Sequence, residues 1–168
     1  MINFKPVLKN FGILETLVLV SFIYVITMLI WTASTRSAVE AKANAIKENH
    51  TKVINYLNDQ INECSNTQKE TKWGEQCGAN WSSVKIIDHL LKNIELNNPD
   101  NIKTNIIQGV SDPRIQAEGK AGQSTNIGII FIPSNDFDSS AGSEWVIGTC
   151  VKSPCVAAGN NELISIYR

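Results

Sequence analysis

The stretch that decides the fold is Leu8–Lys42, with the sequence LKNFGILETLVLVSFIYVITMLIWTASTRSAVEAK. Within it, Ile13–Ala33 is an apolar run with a single charge, Glu15. A helix over this run would be about 30 Å long, the thickness of one hydrocarbon core. The apolar core of a cleaved secretory signal is shorter, about 7 to 15 residues. The sequence therefore predicts a membrane-spanning helix, although a signal peptide cleaved just beyond Thr32 stays open as an alternative.

The helix is predicted to continue past the membrane, because no Pro or Gly occurs between Ile13 and Gly74. Apolar residues recur on one face at helical spacings. They are Val39, Ile46, Val53, Leu57, Ile61 and Cys64. One helix from about Gly12 to about Cys64 would be about 80 Å long. Only its second half carries a stripe that could be buried in a domain.

The middle of the chain is predicted to contain one short helix between loops. Ser82 or Ser83 is the predicted N-cap of this second helix. Its apolar face consists of Ile86, Ile87, Leu90, Leu91 and Ile94. Residues 97–126 contain Gly and Pro at intervals, so they are predicted to be mostly loop.

Three strand candidates close the chain: IGIIFIP from Ile127, EWVIGTCVK from Glu144 and ELISIYR from Glu162. Each is short, rich in β-branched or aromatic residues and bounded by turn residues, which favours an antiparallel meander. The first strand is apolar on both faces and needs a cover on each, one of them the stripe of the long helix. The predicted fold class is α+β, with a long N-terminal helix, membrane-spanning in its first half, packed on a small antiparallel sheet.

All four cysteines, Cys64, Cys77, Cys150 and Cys155, follow the membrane run. Four cysteines allow three pairings, and nearest neighbours would pair Cys64 with Cys77 and Cys150 with Cys155. The first bond would close a loop of about 14 residues and stabilise the fold by about 3 kcal/mol. A zinc site is the competing interpretation, which the spacings disfavour because no C-x2-C pair is present.

No catalytic arrangement is visible in the sequence. His50 is predicted to lie on the solvated face of the long helix. His89 follows Asp88, and adjacent helical residues point about 100° apart, so these two do not form an acid–base unit. With the cysteines paired, no nucleophile has a visible base. The sequence therefore predicts no enzymatic activity, no cofactor, no metal site and no small-molecule substrate.

Other candidate sites have simpler interpretations. Trp73, Trp81 and Trp145 could form an exposed aromatic site, but packing in a core or loop is the default expectation. The turn at residues 134–142, SNDFDSSAG, offers oxygen ligands for a cation but lacks the calcium-loop pattern, which favours a solvated turn. From Ser65 onward nine Lys or Arg and eleven Asp or Glu residues give a net charge of −2. This charge makes nucleic acid an unlikely partner.

The N-terminal stretch resembles type IV pilins and pseudopilins. The mature chains of that family begin with Phe, carry Glu at the fifth position and continue as one long helix, and Phe11 and Glu15 keep that spacing. The family usually has Gly before the mature Phe, where this chain has Asn10. The resemblance implies cleavage between Asn10 and Phe11 by prepilin peptidase and methylation of Phe11. In the head, only the architecture is similar.

The resemblance also implies a structural role, as a filament subunit that binds copies of itself or related pilins. Glu15 would pair with the freed amino group of Phe11 in a neighbouring subunit. A carboxylate at mid-bilayer costs about 2.5 to 3.5 kcal/mol, so it needs a partner or a role. The competing interpretation places Glu15 near the membrane interface, where it reaches the cytoplasmic headgroups.

The predicted layout has four parts: a basic leader over residues 1–10, a transmembrane half-helix over 11–33, an amphipathic half-helix over 34–64 and an α+β head over 65–168. The basic residues before the span favour a cytoplasmic N-terminus and a periplasmic head at the inner membrane, then a filament at the cell surface. Two alternatives stay open. One is a single-pass inner-membrane protein whose disulfide-bonded head binds a partner or ligand without polymerising. The other is a secreted enzyme or toxin domain.

Overall fold

The computed structural model describes residues 12–66, 69–99, 106–119, 127–140 and 142–168. In chain order its elements are α1 (Ile13–Asn66), α2 (Ser83–Asn93), β1 (Ile107–Val110), α3 (Pro113–Glu118), β2 (Ile130–Pro133), β3 (Glu144–Cys150) and β4 (Asn161–Tyr167). The chain divides between Glu40 and Ala41 into two compact units. The second unit, Ala41–Arg168, is termed the head unit and contains the last part of α1 together with all other elements.

Helix α1 runs without interruption from Ile13 to Asn66, which confirms the predicted long helix. The stretch lacks the two residues that most often break helices, Gly and Pro. In the head unit the buried apolar residues of α1 are Ile46, Val53, Ile54, Leu57 and Ile61. The predicted stripe is confirmed from Ile46 onward. Val39 is 44% exposed and lies before the head unit begins.

The buried face of α1 also carries three polar side chains, Asn49, His50 and Gln60, each at most 1% exposed. The prediction that His50 lies on a solvated face is therefore wrong. His50 is four residues from Ile46 and from Ile54, so the packing that buries these two isoleucines buries the imidazole as well. Burial lowers the pKa of His50 to about 4.

The four strands form one mixed sheet in the order β1-β2-β3-β4. Strands β2, β3 and β4 pair antiparallel, as predicted, with Trp145 opposite Ile166 in the last pair. Strand β1 pairs parallel with β2, with Ile107 opposite Ile130. The fold class is confirmed as α+β with a long helix and a small sheet, whereas the expectation of a wholly antiparallel sheet is wrong at this edge.

The stretch predicted to be mostly loop, residues 97–126, contains β1 and α3. Asp112 caps α3, since its Oδ1 accepts hydrogen bonds from the backbone N–H groups of Arg114 at 2.9 Å and Ile115 at 3.5 Å. Pro113 occupies the first helical turn, where its missing N–H costs nothing. An Asp-Pro pair is a helix start signal as well as a turn signal, which is why α3 was not predicted within this stretch.

Strand β2 is buried on both faces, and each face has its own cover. Ile130 and Ile132 belong to the core formed with α1 and α2. Successive residues of a strand point to opposite faces, and Ile129 and Phe131 pack with Ala117 of α3 on the other side. Helix α3 is therefore the second cover that the apolar sequence of β2 requires.

Two disulfides join Cys64 to Cys77 and Cys150 to Cys155, which confirms nearest-neighbour pairing. The first ties the end of α1 to the loop before α2, and the second closes the turn between β3 and β4. Because all four sulfurs are used in these bonds, they do not form the alternative zinc site. The second disulfide is buried, with Cys150 0% and Cys155 3% exposed.

Gly148 in β3 lies directly against α3. A Cβ at this position would come within 2.7 Å of the Ala117 Cβ and 2.8 Å of the Pro113 carbonyl oxygen. Gly148→Ala must displace α3, so we expect it to lower the free energy of unfolding by about 1–3 kcal/mol. Gly78→Ala is the matched control, because a Cβ there meets nothing within 4 Å. Urea unfolding measures both variants, and equal stabilities would contradict this contact.

Candidate functional site: the exposed apolar segment of α1

The first half of α1 presents a long apolar surface, termed the apolar segment, Ile13–Trp31. Its large hydrophobic side chains are between 41% and 84% exposed. Among the described residues α1 is the one helix long and apolar enough to cross a membrane, by length and composition, and 0% of its most apolar window is buried. Apolar surface of this extent is costly in water, so it suits a lipid or protein environment.

Four hydroxyl groups in this part of α1, those of Ser21, Thr27, Thr32 and Thr35, are satisfied within the helix. Ser21 and Thr32 donate to the carbonyl three residues earlier, at 2.8 and 3.0 Å. Thr27 and Thr35 donate to the carbonyl four residues earlier, at 2.6 and 3.1 Å. A polar group without a partner costs several kcal/mol in hydrocarbon. These local bonds therefore lower the cost of placing the serine and threonine hydroxyls in lipid or among neighbouring helices.

Glu15, the single charge of the apolar segment, caps the N-terminus of α1. Its Oε2 accepts a hydrogen bond from the Gly12 backbone N–H at 3.0 Å, and Thr16 Oγ1 donates to the Gly12 carbonyl at 3.1 Å. This arrangement is half of a capping box, and negative charge is favourable at a helix N-terminus. The carboxylate thus caps the helix, a local role that the apolar pattern of the sequence does not predict. The predicted processing residues, Asn10 and Phe11, lie outside the described residues.

Two buried amides attach connecting segments to the second half of α1. Asn49 binds both backbone groups of Asn97, because its Nδ2 donates to the carbonyl at 2.6 Å and its Oδ1 accepts from the N–H at 2.9 Å. Gln60 accepts a hydrogen bond from the Lys72 N–H at 2.6 Å and donates to Glu63. These side chains fix the segment after α2 and the loop before α2 to the helix.

The spacing of these amides is a signal that a search for apolar residues misses. Asn49 lies three residues after Ile46 and four before Val53, and Gln60 lies three after Leu57. Spacings of three and four are those of a buried helix face. Because buried polar side chains almost always have hydrogen-bond partners, an amide at such a position predicts a bond to a neighbouring segment.

The three tryptophans of the head unit pack inside it, as the default interpretation predicts. Trp73 meets Trp81 edge-on, with ring centroids 5.1 Å apart. Phe137 contacts Trp81 at 5.9 Å and stacks on Trp145 at 4.8 Å. The Arg168 guanidinium lies 3.8 Å from the centre of the Trp81 ring and donates to the Phe137 carbonyl at 3.2 Å. These rings are therefore core residues rather than an exposed aromatic site.

The remaining polar candidates also hold the head unit together. His89 Nε2 lies 2.6 Å from the Tyr56 hydroxyl, so this histidine links α2 to α1 rather than acting with Asp88. Burial lowers the pKa of His89 and raises that of Tyr56, so it favours the neutral form of both side chains. In the turn at 134–140, Asp138 Oδ1 accepts from the Ser140 N–H at 3.0 Å. No group of three possible metal ligands occurs among the described residues.

The two hydrogen bonds between the Asn49 side chain and the Asn97 backbone can be tested with two substitutions. Asn49→Leu keeps the branched arrangement of side-chain heavy atoms but leaves the Asn97 backbone groups unpaired, so we expect a loss of about 1–3 kcal/mol in the free energy of unfolding. The bonded atoms of Asn97 belong to its backbone, so Asn97→Ala keeps both bonds and should change stability by less than about 0.5 kcal/mol. Chemical unfolding of both variants measures the two stabilities. Equal losses in the free energy of unfolding would contradict a stabilising role for these two hydrogen bonds.

Comparison with known proteins adds no family to this description. No protein-family model, no curated protein and no solved structure matches the chain. The resemblance to pilins consequently depends on the residues from Phe11 onward, and the function must be argued from the exposed segment, its charge and the fold.

Proposed function

We propose that this protein is a structural subunit of a type IV pilus-like or pseudopilus filament, assembled through its hydrophobic N-terminal helix. The observation that carries the proposal is the unburied apolar segment. It belongs to the same continuous helix that supplies part of the head core. The spacing of Phe11 and Glu15 and the α+β head support the same assignment. The role is structural rather than enzymatic.

Side-by-side packing of apolar segments from many copies would cover the surface that each copy exposes. In such a bundle the helices attract one another through close side-chain packing rather than through specific polar contacts. A carboxylate inside the bundle costs several kcal/mol unless an opposite charge compensates it. In the proposed filament Glu15 pairs with the freed amino group of Phe11 in a neighbour, a requirement that fixes how adjacent subunits align.

Before assembly, the apolar segment would anchor the protein in the inner membrane. Lys5 and Lys9 precede the segment and favour a cytoplasmic N-terminus. The two disulfides suit an oxidising compartment, such as the periplasm, for the head. Prepilin peptidase would cleave between Asn10 and Phe11, and the assembled filament would display the head at the cell surface.

A second candidate is a single-pass inner-membrane protein whose disulfide-bonded periplasmic head binds a partner or ligand without polymerising. Two observations favour it. Asn10 stands where prepilin peptidase usually requires Gly, and the Glu15 carboxylate already has a hydrogen-bond donor in its own chain, the Gly12 N–H. This candidate predicts a mature chain that keeps Met1 and stays solitary in the membrane.

Two substitutions of Glu15 separate helix capping from assembly. Glu15→Gln keeps an acceptor for the Gly12 N–H but removes the charge, whereas Glu15→Ala removes both. If assembly uses the charge, both variants should enter the membrane at least as well as the wild type, because they place no charge in lipid. Both should lower filament yield about tenfold or more, the effect of losing roughly 1.4 kcal/mol per subunit contact.

Immunoblots of sheared filaments and of the membrane fraction measure yield and insertion together. Thr16→Val is a matched control, because it alters the adjacent residue of the same turn without changing its charge. A loss of filaments with Glu15→Ala alone would assign Glu15 to capping only. Wild-type filament yield from both Glu15 variants would contradict the assembly role.

A further inference from the structure

His50 is a buried histidine without a polar partner in the described part of the chain. It is 1% exposed, and neither Nδ1 nor Nε2 makes a hydrogen bond among the described residues. Leaving a buried polar atom unpaired costs about 1–3 kcal/mol, so such groups are rare. A neutral imidazole can remain in this position, whereas an imidazolium would need acceptors for two N–H groups.

The contacts near His50 attach the first turns of α1 in the head unit to the rest of that unit. Lys47 Nζ lies 2.7 Å from Glu162 Oε1 in β4, and Asn49 binds the backbone of Asn97. Glu162 is the charged group among the described residues that raises the pKa of His50, but burial has the larger effect and lowers it. Lys47, on the same helix, already neutralises Glu162.

We propose that His50 is a pH-sensitive switch. When His50 takes up a proton, residues 41–53 of α1 detach from β4 and from the Asn97 segment. The added charge has to be hydrated or paired. Hydration requires this end of the helix to open, and pairing takes Glu162 away from Lys47. Either response breaks the ion pair that holds α1 to β4, so both loosen the same contact.

Two of the contacts that hold the opposite end of α1 involve no group that takes up a proton in this range. The disulfide of Cys64 ties that end covalently to the loop before α2, and Gln60 binds the same loop through a neutral amide. The other of the two histidines, His89, is only partly buried and already bonds the Tyr56 hydroxyl. Acid should therefore open one end of the contact rather than unfold the whole head unit.

The direction of the pH dependence follows from the two proton affinities. The pKa of His50 is about 4 in the closed form, against 6.5 for an ordinary histidine. The open form therefore binds more protons, and its population grows as the pH falls below about 6.5. The opening equilibrium constant should rise about 30-fold from pH 8 to pH 5 and level off below about pH 4.

Hydrogen exchange measured by mass spectrometry on the full chain in detergent micelles tests the proposal, with exchange times corrected for the intrinsic effect of pH. In the wild type, peptides covering residues 46–54 should open about 30-fold more often at pH 5 than at pH 8. In His50→Leu these peptides should lose that acid response. His89→Gln is the matched control and should respond as the wild type does.

An unchanged acid response in His50→Leu would overturn the proposal, and so would acid opening spread evenly over the head unit. If His50→Leu does not fold, His50→Gln replaces it, because glutamine is neutral at every pH. An NMR titration of the His50 ring protons in the wild type gives a readout that needs no substitution. A ring pKa near 6.5, the ordinary value for histidine, would also overturn the proposal.

Discussion

The head unit depends on the contact between the buried face of α1 and the sheet. Four apolar side chains of α1, Val53, Ile54, Leu57 and Ile61, join the core there. The amides of Asn49 and Gln60 attach the segments on either side of α2. The apolar segment lies on the same unbroken helix. Lipid or other copies that cover this segment therefore contact a helix whose second half is part of a folded core.

Much of this architecture could be predicted from sequence because it depends on local patterns. Helix α1 follows from periodicity without Gly or Pro, and the disulfides follow from the spacing of the cysteines. The burial of His50 is indicated by its spacing of four residues from Ile46 and Ile54, but a count of apolar residues misses it because that count assigns every polar residue to the solvated face. The pairing of β1 could not be predicted because its partner strand is distant in sequence. Helix α3 could not be predicted because Asp112–Pro113 is a signal both for a turn and for the start of a helix.

The candidate site was only partly predictable for a related physical reason. The sequence places one acid in an apolar helix and predicts one of two partners for it, a neighbour's amino group or the headgroups. The structure adds a third partner, the Gly12 N–H. A carboxylate has two oxygens and several lone pairs, so capping the helix and neutralising a charge in a neighbour are compatible roles. The cap would keep the carboxylate at the helix start, where a neighbour's amino group could reach it.

The central claim is that the apolar segment of α1 packs against copies of itself in a filament. Electron microscopy of native host cells, with a gold-labelled antibody against the head, tests it most directly. The account predicts gold along thin filaments that leave the cell surface. Gold confined to the cell envelope, with the extracted chain solitary in detergent and beginning at Met1, would contradict it.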